Sequence, residues 1–437
     1  MSSFDCVIRD SRVVTPDGVI PVDVGIAEGA IAAMAASLSG SAREELDASG
    51  CLLVPGMIDA HVHFNEPGRT EWEGFATGSA AAAAGGVTTV FDMPLNSSPA
   101  TVTVEAFDQK IRCSQQHSRV RTRLWGGLVP GNFDQLAPLA ERGVVGFKAF
   151  MSNSGIEEFS RSDAATLRAG MKIIAGLPGM CLAVHAEDEA LTARLGEQAR
   201  LTGATDPRGF VASRPIEAEL LAIREVLDLA AETGCPLHVV HVSCPEGLAL
   251  IQSAKRAGVD VTVETCPHYL MFTIEDLERL GALVKCAPPL RDEATRSGLW
   301  ACVARGEVDT IGSDHSPCPP SMKSGRPFAE AWGGISGVQH SLPLMYSEGL
   351  SRGIDLVLIA SLLSANAARR FHLDPALGQI RPGAPADLCL LRPGRGTPIQ
   401  RDQLLDRHRH SPYVGTSLAW VVRRTFVAGK TVFESAE

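Results

Sequence analysis

Two histidines stand two residues apart in an apolar run near the start of the chain. His61 and His63 belong to Met57-Ile-Asp-Ala-His-Val-His-Phe. Side chains at i and i+2 of a strand share one face, so both imidazoles point to the same place. Converging neutral imidazoles are a common ligand set for transition-metal ions. For this motif alone, a core histidine beside a solvent-facing one is an equally good interpretation, so the rest of the chain must decide.

Further residues of metal-ligand type follow four later apolar runs that are predicted as strands. They are Lys148 in Gly146-Phe-Lys-Ala-Phe-Met, His185 in Ala183-Val-His-Ala-Glu, His241 in His238-Val-Val-His, and Asp314 in Ile311-Gly-Ser-Asp-His. In an α/β barrel the carboxyl ends of the strands meet at one rim, where active sites are built. Five strand ends with such groups favour a metal centre that activates water for hydrolysis.

Lys148 has two interpretations. A protonated lysine is a poor metal ligand, and burial near cations shifts it towards the neutral amine. A neutral amine can take up carbon dioxide to give a carbamate, whose two oxygens can bridge two metal ions. The two histidines of the first strand and Asp314 would then hold one ion, and His185 and His241 the other. Considered without these neighbours, a buried lysine with an ion-pair partner is the better interpretation.

Eight short apolar runs alternate with segments of helical period, which is the count of a (β/α)8 TIM barrel. The predicted barrel strands are Gly56–Phe64, Val87–Met93, Thr122–Leu128, Val144–Phe150, Met180–His185, Leu237–Val242, Val259–Glu264 and Val308–Gly312. Short β-branched runs return at both chain ends, and those at the N-terminus are too few to bury a face alone. We therefore predict an α/β protein with a barrel over residues 53–378. A small β-sandwich domain would combine residues 1–52 with residues 379–437.

Composition excludes several function classes. The 437 residues are 45% hydrophobic and 21% charged, with a formal net charge of -10, which argues against a general nucleic-acid surface. The eleven cysteines include no Cys-x-x-Cys pair, and the N-terminus lacks a signal-peptide apolar segment. These features predict reduced thiols and a cytoplasmic protein. No apolar run is long enough for a bilayer, so we expect neither a nucleic-acid nor a membrane partner.

Taken together, the His61-x-His63 pair, Lys148, the two later histidines and Gly312-Ser-Asp-His resemble the cyclic amidohydrolases of the amidohydrolase superfamily. The resemblance covers nearly the whole chain, including Pro55-Gly-Met-Ile-Asp and Gly383-Ala-Pro-Ala-Asp-Leu. It implies two divalent metal ions bridged by N6-carboxylated Lys148, with carbon dioxide supplying the carbamate. Zinc is the first expectation, and cobalt, iron or manganese also suit the ligands. It further implies Asp314 as catalytic base and then acid, and a homo-oligomer, which we expect to be a tetramer because members of the family are usually tetramers or dimers.

Residue 65 separates the members of that family. Its dihydroorotases carry His-x-His-x-Arg-Glu-Pro-Gly, whose Arg receives the substrate carboxylate, whereas this chain has Asn65 there. The run Asn65-Glu-Pro-Gly-Arg-Thr-Glu-Trp-Glu-Gly-Phe is similar to the allantoinases, as are Thr265-Cys-Pro-His-Tyr-Leu and Trp332-Gly-Gly-Ile. The resemblance implies opening of the hydantoin ring of allantoin to allantoate, a step of purine catabolism. A hydantoinase or dihydropyrimidinase is the alternative. A non-catalytic scaffold homologue is a distant one, since such relatives have lost ligands.

Neutral polar groups suit the ureido arm of allantoin better than an arginine would. The predicted substrate contacts are Asn65, Asn96, Ser316 and the main chain at Cys286 and Ala287. An asparagine after a strand is as often a turn residue, so that alternative stays open for both amides. His238 and His315 are predicted to support ligands rather than to bind metal. Glu66, Arg69 and Glu71 are predicted to order the first loop by ion pairing.

Overall fold

A computed structural model describes residues 3–436, in which seventeen strands are found. In chain order they are β1 (Ser3–Thr15), β2 (Gly18–Ala27), β3 (Ala30–Ala35), β4 (Ser41–Asp47), β5 (Leu52–Pro55), β6 (Met57–Val62), β7 (Val87–Asp92), β8 (Arg121–Leu124), β9 (Gly126–Gly127), β10 (Phe147–Phe150), β11 (Leu182–His185), β12 (Leu237–Val239), β13 (Val261–Thr265), β14 (Thr310–Ile311), β15 (Leu388–Pro393), β16 (Trp420–Val427) and β17 (Lys430–Glu434).

Helices follow most of the central strands. They are α1 (Phe75–Ala84), α2 (Val104–His117), α3 (Leu136–Arg142), α4 (Ala164–Ala175), α5 (Glu189–Thr202), α6 (Pro207–Ser213), α7 (Ile216–Thr233), α8 (Pro245–Arg256), α9 (Pro267–Met271), α10 (Ile274–Leu280), α11 (Glu293–Ala304), α12 (Ser341–Ser351), α13 (Leu356–Ala360) and α14 (Asn366–Arg370). Side chains such as Asp163 and Asp188 accept hydrogen bonds from free N–H groups of the first turn, which starts α4 and α5 at those points. No helix of the described chain is long and apolar enough to cross a membrane.

The central strands β6 to β14 run parallel and neighbour one another in sequence order. β6, β7 and β8 form one sheet, and β9 to β14 form another. Residue 125 alone separates β8 from β9, so the chain passes directly from the first sheet to the second. At the other edge, an isolated parallel bridge joins Val62 of β6 to His315, which follows β14. The strand ends from β6 to β14 therefore face one rim.

Strands from both chain ends form a separate sheet. Its order is β17-β16-β15-β5-β1-β2-β3, with β4 beside β1. β1 and β2 pair as an antiparallel hairpin in which Thr15 and Gly18 are the last paired residues before the turn. An ion pair of 2.7 Å between Arg121 Nε and Asp387 Oδ2 ties β8 to the start of β15. Only Gly56 separates β5 of this sheet from β6, so the terminal sheet holds the first parallel strand in place.

Several strands end earlier than the sequence predicts, among them two that precede predicted metal ligands. β12 stops at Val239 and β14 at Ile311, whereas the predicted strands reach Val242 and Gly312. His241 and Asp314 have positive φ angles of 43° and 46°, which strand pairing does not allow. These two side chains thus lie on the first turn beyond their strands. Positive φ at a non-glycine residue is uncommon and clusters at functional sites.

Candidate metal centre

Two histidines and one aspartate come together at the rim formed by β6 and the turn after β14. His61 Nε2 lies 3.3 Å from Asp314 Oδ1, and His63 Nε2 lies 3.4 Å from the same oxygen. One ligand atom from each of the three residues falls within 4.8 Å of the others. Burial and the two imidazoles act in opposite directions on Asp314, and the imidazoles hold its pKa well below the usual range. Asp314 therefore presents a carboxylate to this cluster.

The other nitrogen of His61 is held by a buried glutamate. His61 Nδ1 lies 2.7 Å from Oε1 of Glu264, which belongs to β13 and is fully buried. Burial alone would raise the pKa of Glu264, but the neighbouring His61 and His238 lower it to about 2. A Cβ atom at Gly312 would lie 2.5 Å from Glu264 Oε2, so only glycine fits beside this carboxylate. This packing gives a physical reason for the glycine in Gly312-Ser-Asp-His.

His185 and His241 form a second pair of imidazoles nearby. His185 Nδ1 lies 3.1 Å from His241 Nε2, and the ring centroids of His61 and His241 are 5.5 Å apart. Desolvation by burial lowers the pKa of both His185 and His241, which keeps the imidazoles neutral and able to bind metal. His185 Nε2 lies 2.8 Å from Oε2 of the buried Glu187, so its Nδ1 is the nitrogen left for a ligand.

Lys148 is fully buried in β10, and its ammonium group has no hydrogen-bond partner within residues 3–436. Its Nζ lies 5.1 Å from the centroid of the Phe150 ring, which stacks on His185 at 4.5 Å. Burial lowers the pKa of Lys148 to about 7, although Asp314 and Glu264 act to raise it. The sequence-based alternative of a structural ion pair finds no partner in the described chain. A substantial fraction of this amine is neutral at physiological pH.

The two asparagines lie beside this cluster in left-handed backbone conformations. Asn65 has φ 64° and Asn96 has φ 70°. The Asn65 amide donates to the Pro317 carbonyl at 3.3 Å, and its Oδ1 atom is buried without a partner in the described chain. The Asn96 amide lies 3.4 Å from His63 Nδ1. Asn96 therefore supports a histidine of the cluster, while Asn65 retains a free acceptor.

The other predicted substrate contacts lie on two segments that hydrogen bonds hold together. Ser316 donates its N–H to the Ile335 carbonyl at 2.9 Å, and Gly334 donates to the Lys285 carbonyl at 2.6 Å, next to Cys286. The peptide bond from Ala287 to the following proline is cis. Gly334 has φ 134°, and a Cβ there would lie 2.2 Å from the Ser316 carbonyl oxygen. The glycine of Trp332-Gly-Gly-Ile is thus required for the close approach of these two segments.

Two buried lysines fasten residues 317–334 beside Asp314. Lys323 Nζ donates to the carbonyls of Ala282, Trp332 and Gly334 at 2.7, 3.0 and 2.7 Å. Lys285 Nζ donates to three carbonyls between residues 328 and 331 and lies about 5 Å from the rings of Phe210 and Phe328. Burial lowers the pKa of both lysines to about 8. These contacts join residues 317–334 to the chain around Cys286.

The supporting residues behave partly as predicted. His238 Nδ1 lies 2.8 Å from Thr262 Oγ1, and its Nε2 lies 3.9 Å from Glu264 Oε2, so it adjoins the carboxylate that holds His61. His315 contacts Glu73 and the main chain at residues 337–338, instead of orienting Asp314 as the sequence suggests. The turn at Asp314 directs these two consecutive side chains to different places.

The first loop is held by fewer ion pairs than expected. Glu66 pairs with His117 at 3.1 Å and accepts the N–H of Phe75 at 2.8 Å. Arg69 donates to the Asn96 carbonyl at 3.0 Å, and its guanidinium lies over the Trp72 ring at 5.6 Å. The contact recorded for Glu71 is through its main-chain carbonyl. Hydrogen bonds to the main chain therefore contribute as much to this loop as charge pairing does.

Sequence reasoning missed three carboxylates. Glu187 and Glu264 each hold a histidine, and Asp59 accepts the N–H groups of His61 and Ser313 at 3.2 and 3.0 Å. Glu187 follows His185 by two residues, and Glu264 ends a predicted strand, so their positions at the rim were visible in the sequence. Burial raises the pKa of Asp59 to about 6. Such carboxylates commonly orient metal-bound histidines.

The residues present suit a pair of divalent metal ions. The cluster offers four buried imidazoles, one carboxylate and a buried amine without a hydrogen-bond partner among residues 3–436, which is an N/O donor set typical of zinc and neighbouring metals. The far nitrogens of His61 and His185 each meet a buried carboxylate, as in most protein metal sites. Both facts favour a metal centre over a group of core histidines.

Comparison with known proteins identifies the family. The amidohydrolase family model matches residues 52–432. This chain belongs to the amidohydrolase family. The resemblance of the His-x-His, Lys148 and Gly-Ser-Asp-His motifs to that family is therefore confirmed. Members of this family are metal-dependent hydrolases, which agrees with the donor set described above.

Three relatives place the chain within the family. It is 50% identical to an allantoinase of Rubrobacter xylanophilus over 435 residues, covering 99% of this chain and 95% of that one. It is 47% identical to an allantoinase of Deinococcus radiodurans, covering 100% and 96% of the two chains. Among solved structures it resembles an L-hydantoinase (dihydropyrimidinase) of Arthrobacter aurescens, with TM-score 0.95 and 34% identity over 99% and 97% of the chains.

Proposed function

We propose that this amidohydrolase opens the hydantoin ring of allantoin by hydrolysis and yields allantoate, a step of purine catabolism. The observation that carries the proposal is the convergence at one rim of His61, His63, His185, His241, Asp314 and Lys148, whose amine has no hydrogen-bond partner in the described chain. Similarity to allantoinases over nearly the full chain, at 50% and 47% identity, supports the choice of substrate.

The proposed frame is a closed (β/α)8 barrel over residues 53–378, with a β-sandwich domain from residues 1–52 and 379–437. β6 to β14 are nine parallel segments in sequence order. Because β8 and β9 follow one another along the same line of chain, they count as one strand, and the nine segments support eight barrel positions. The bridge from Val62 to His315 supports closure between the first and last of them. By similarity to its family we further propose a cytoplasmic homotetramer that acts on a small molecule.

The ligands divide into two groups by their contacts. His61, His63 and Asp314 would hold one ion, because their ligand atoms lie within 4.8 Å of one another. His185 through Nδ1 and His241 through Nε2 would hold the other. Lys148, as its carbamate, would complete the set of residues that hold the ions. Two bound zinc ions would activate a water molecule and polarise the ring carbonyl.

We infer that Asp314 moves the proton of the reaction. Its Oδ1 atom faces both His61 and His63, which leaves Oδ2 as the free oxygen. Its depressed pKa makes it a carboxylate before the reaction, able to accept the proton of the attacking water. The same oxygen can then deliver that proton to the departing ring nitrogen. Asp314 therefore acts first as base and then as acid.

Uncharged groups would recognise the substrate. Asn65 Oδ1 is a buried acceptor without a partner in the described chain, and it suits an N–H of the ureido arm. Asn96 and Ser316 would add neutral contacts, and the main chain at Cys286 and Ala287 would form hydrogen bonds with the ring imide. A negatively charged substrate such as dihydroorotate would find no arginine at residue 65.

Hydantoinase or dihydropyrimidinase activity is the second candidate. It is favoured by similarity to the solved structure with TM-score 0.95, which is named for both activities. The two candidates share the metal centre and differ in the groups that surround the ring. A comparison of kcat/KM among substrates must therefore distinguish the two candidates.

The test measures ring opening of four substrates by the zinc-loaded protein in the presence of bicarbonate. The substrates are allantoin, a 5-substituted hydantoin, dihydrouracil and dihydroorotate. We expect the highest kcat/KM for allantoin, and loss of activity on every substrate in Lys148→Ala. Lys172→Ala is the control, because Lys172 is an exposed lysine of α4 whose ion-pair partner is Glu232 rather than a proposed ligand. A preference for hydantoin or dihydrouracil would refute the substrate assignment and keep the metal centre.

A further inference from the structure

Each of two buried glutamates contacts a different histidine of the proposed ligand set. Glu264 lies 2.7 Å from His61 Nδ1, and Glu187 lies 2.8 Å from His185 Nε2. In both pairs the carboxylate takes the nitrogen that points away from the cluster. Each glutamate therefore contacts one histidine of one proposed ligand group and leaves the opposite ring nitrogen free.

The two glutamates are anchored by different parts of the molecule. Glu264 lies on β13. Its carboxylate is 3.9 Å from His238, and Gly312 packs against it. Glu187 forms an ion pair with Arg214, whose side chain is 21% exposed at the end of α6. No contact between the two glutamates is recorded in the described chain. The side-chain contacts of the two glutamates therefore share no residue.

The Glu187 anchor continues to the neighbourhood of His241. Arg291 Nη1 donates to the Arg214 carbonyl at 2.6 Å, and Arg291 Nε donates to Ser243 Oγ at 3.0 Å. Glu219 accepts the Ser243 N–H at 2.8 Å, two residues beyond His241. One buried network therefore holds both His185 and the turn that carries His241, and it does not include His61 or His63.

We propose that Glu264 and Glu187 are positioning residues, each of which sets the affinity for one metal ion only. Glu264 acts through His61 on the ion held with His63 and Asp314, and Glu187 acts through His185 on the ion held with His241. The inference rests on the two-ion centre of the proposed function. It adds an assignment of one buried carboxylate to each ion.

The physical reason lies in the tautomer and direction of each ring. A carboxylate at the far nitrogen accepts its N–H and leaves the near nitrogen with the lone pair that a metal needs. A glutamine presents an N–H as well as an oxygen, so it can turn and favour the wrong tautomer. Loss of such a partner typically lowers metal affinity about 10- to 100-fold.

The experiment titrates the metal-free protein with Co²⁺ in the presence of bicarbonate and follows stoichiometry, affinity and the cobalt absorption bands. The variants are Glu264→Gln and Glu187→Gln. Glu73→Gln is the control, since Glu73 is a buried glutamate that contacts Arg407 and His315 and no proposed ligand. We expect each test variant to bind one ion like the wild type and the other about 10- to 100-fold more weakly. The control should bind both ions unchanged.

A second substitution identifies which ion is lost. In the Glu187→Gln background, His63→Ala should remove the remaining tight ion, whereas His241→Ala should change little. In the Glu264→Gln background, His241→Ala should remove the remaining tight ion, whereas His63→Ala should change little. If a glutamine variant fails to fold by circular dichroism, Glu187→Asp or Glu264→Asp replaces it and should weaken the same ion.

Three results would overturn the inference or its basis. Wild-type affinity for both ions in both variants, or equal weakening of both ions in each variant, would refute the one-to-one assignment. A wild-type protein that binds fewer than two ions per chain would instead refute the two-ion centre of the proposed function. The metal titration thus distinguishes the two failures.

Discussion

Replacement of Lys148 by methionine should stabilise the metal-free protein while it abolishes hydrolysis. Lys148 is fully buried without a hydrogen-bond partner among residues 3–436, and burial lowers its pKa from 10.5 to about 7. Between these two pKa values the unfolded chain binds a proton that the folded chain does not bind. Lys148 therefore lowers the free energy of unfolding by the full amount when the pH is below the lower pKa. This loss of stability disappears as the pH rises through the upper pKa.

The magnitude follows from the two pKa values. Each pKa unit corresponds to about 1.4 kcal/mol, so the destabilisation is about 4 kcal/mol at pH ~7.5 and about 1 kcal/mol at pH ~10. Methionine has a similar length and carries no charge, so Lys148→Met should raise the free energy of unfolding by these amounts. The gain should shrink as pH rises.

The assay is urea unfolding of chelated, carbonate-free protein at both pH values, followed by circular dichroism. Lys110→Met is the matched control, since Lys110 is also buried but pairs with Asp92 and donates to the Met93 carbonyl at 2.6 Å. Its removal leaves Asp92 unpaired and should cost about 3–5 kcal/mol at either pH. A Lys148→Met protein that is less stable than the wild type, or whose gain does not shrink with pH, would refute the reasoning.

Three other perturbations test the centre and its surroundings. Asp314→Asn removes the proposed base and should lower kcat for allantoin about 10²- to 10⁴-fold at saturating metal. A kcat within a factor of a few of the wild-type value would contradict the role of Asp314 as base. Chelation should lower the unfolding temperature, because ions at about 1,000 times their Kd contribute about 4 kcal/mol, and zinc with bicarbonate should restore it; equal unfolding temperatures with and without metal would argue against bound ions. Lys323→Met removes three hydrogen bonds to carbonyls and should speed amide exchange across residues 317–334, measured by mass spectrometry. Lys430→Met, at an exposed lysine of β17, should leave that exchange unchanged, and equal rates in both variants would contradict the fastening role.

The positions of the proposed ligand residues were predictable because local chain geometry determines where they lie. His61 and His63 share a face by the two-residue period of a strand, and Lys148 and His185 lie on parallel strands that the structure pairs side by side. Apolar runs separated by helical segments were enough to predict the order of these strands. The strand limits were less accurate near His241 and Asp314, because a positive φ at a single residue has no periodic signature in the sequence.

The partners of those residues depended on the tertiary structure. Glu264 is 203 positions from His61 in the chain, and nothing local to either residue indicates their contact. The same applies to Asn65, whose amide turns to a carbonyl 252 positions away and leaves only its oxygen free. Sequence periodicity specifies which face of an element a side chain occupies. The nitrogen or oxygen that remains free for a ligand is decided by long-range packing, because only the folded chain brings the competing hydrogen-bond partners together.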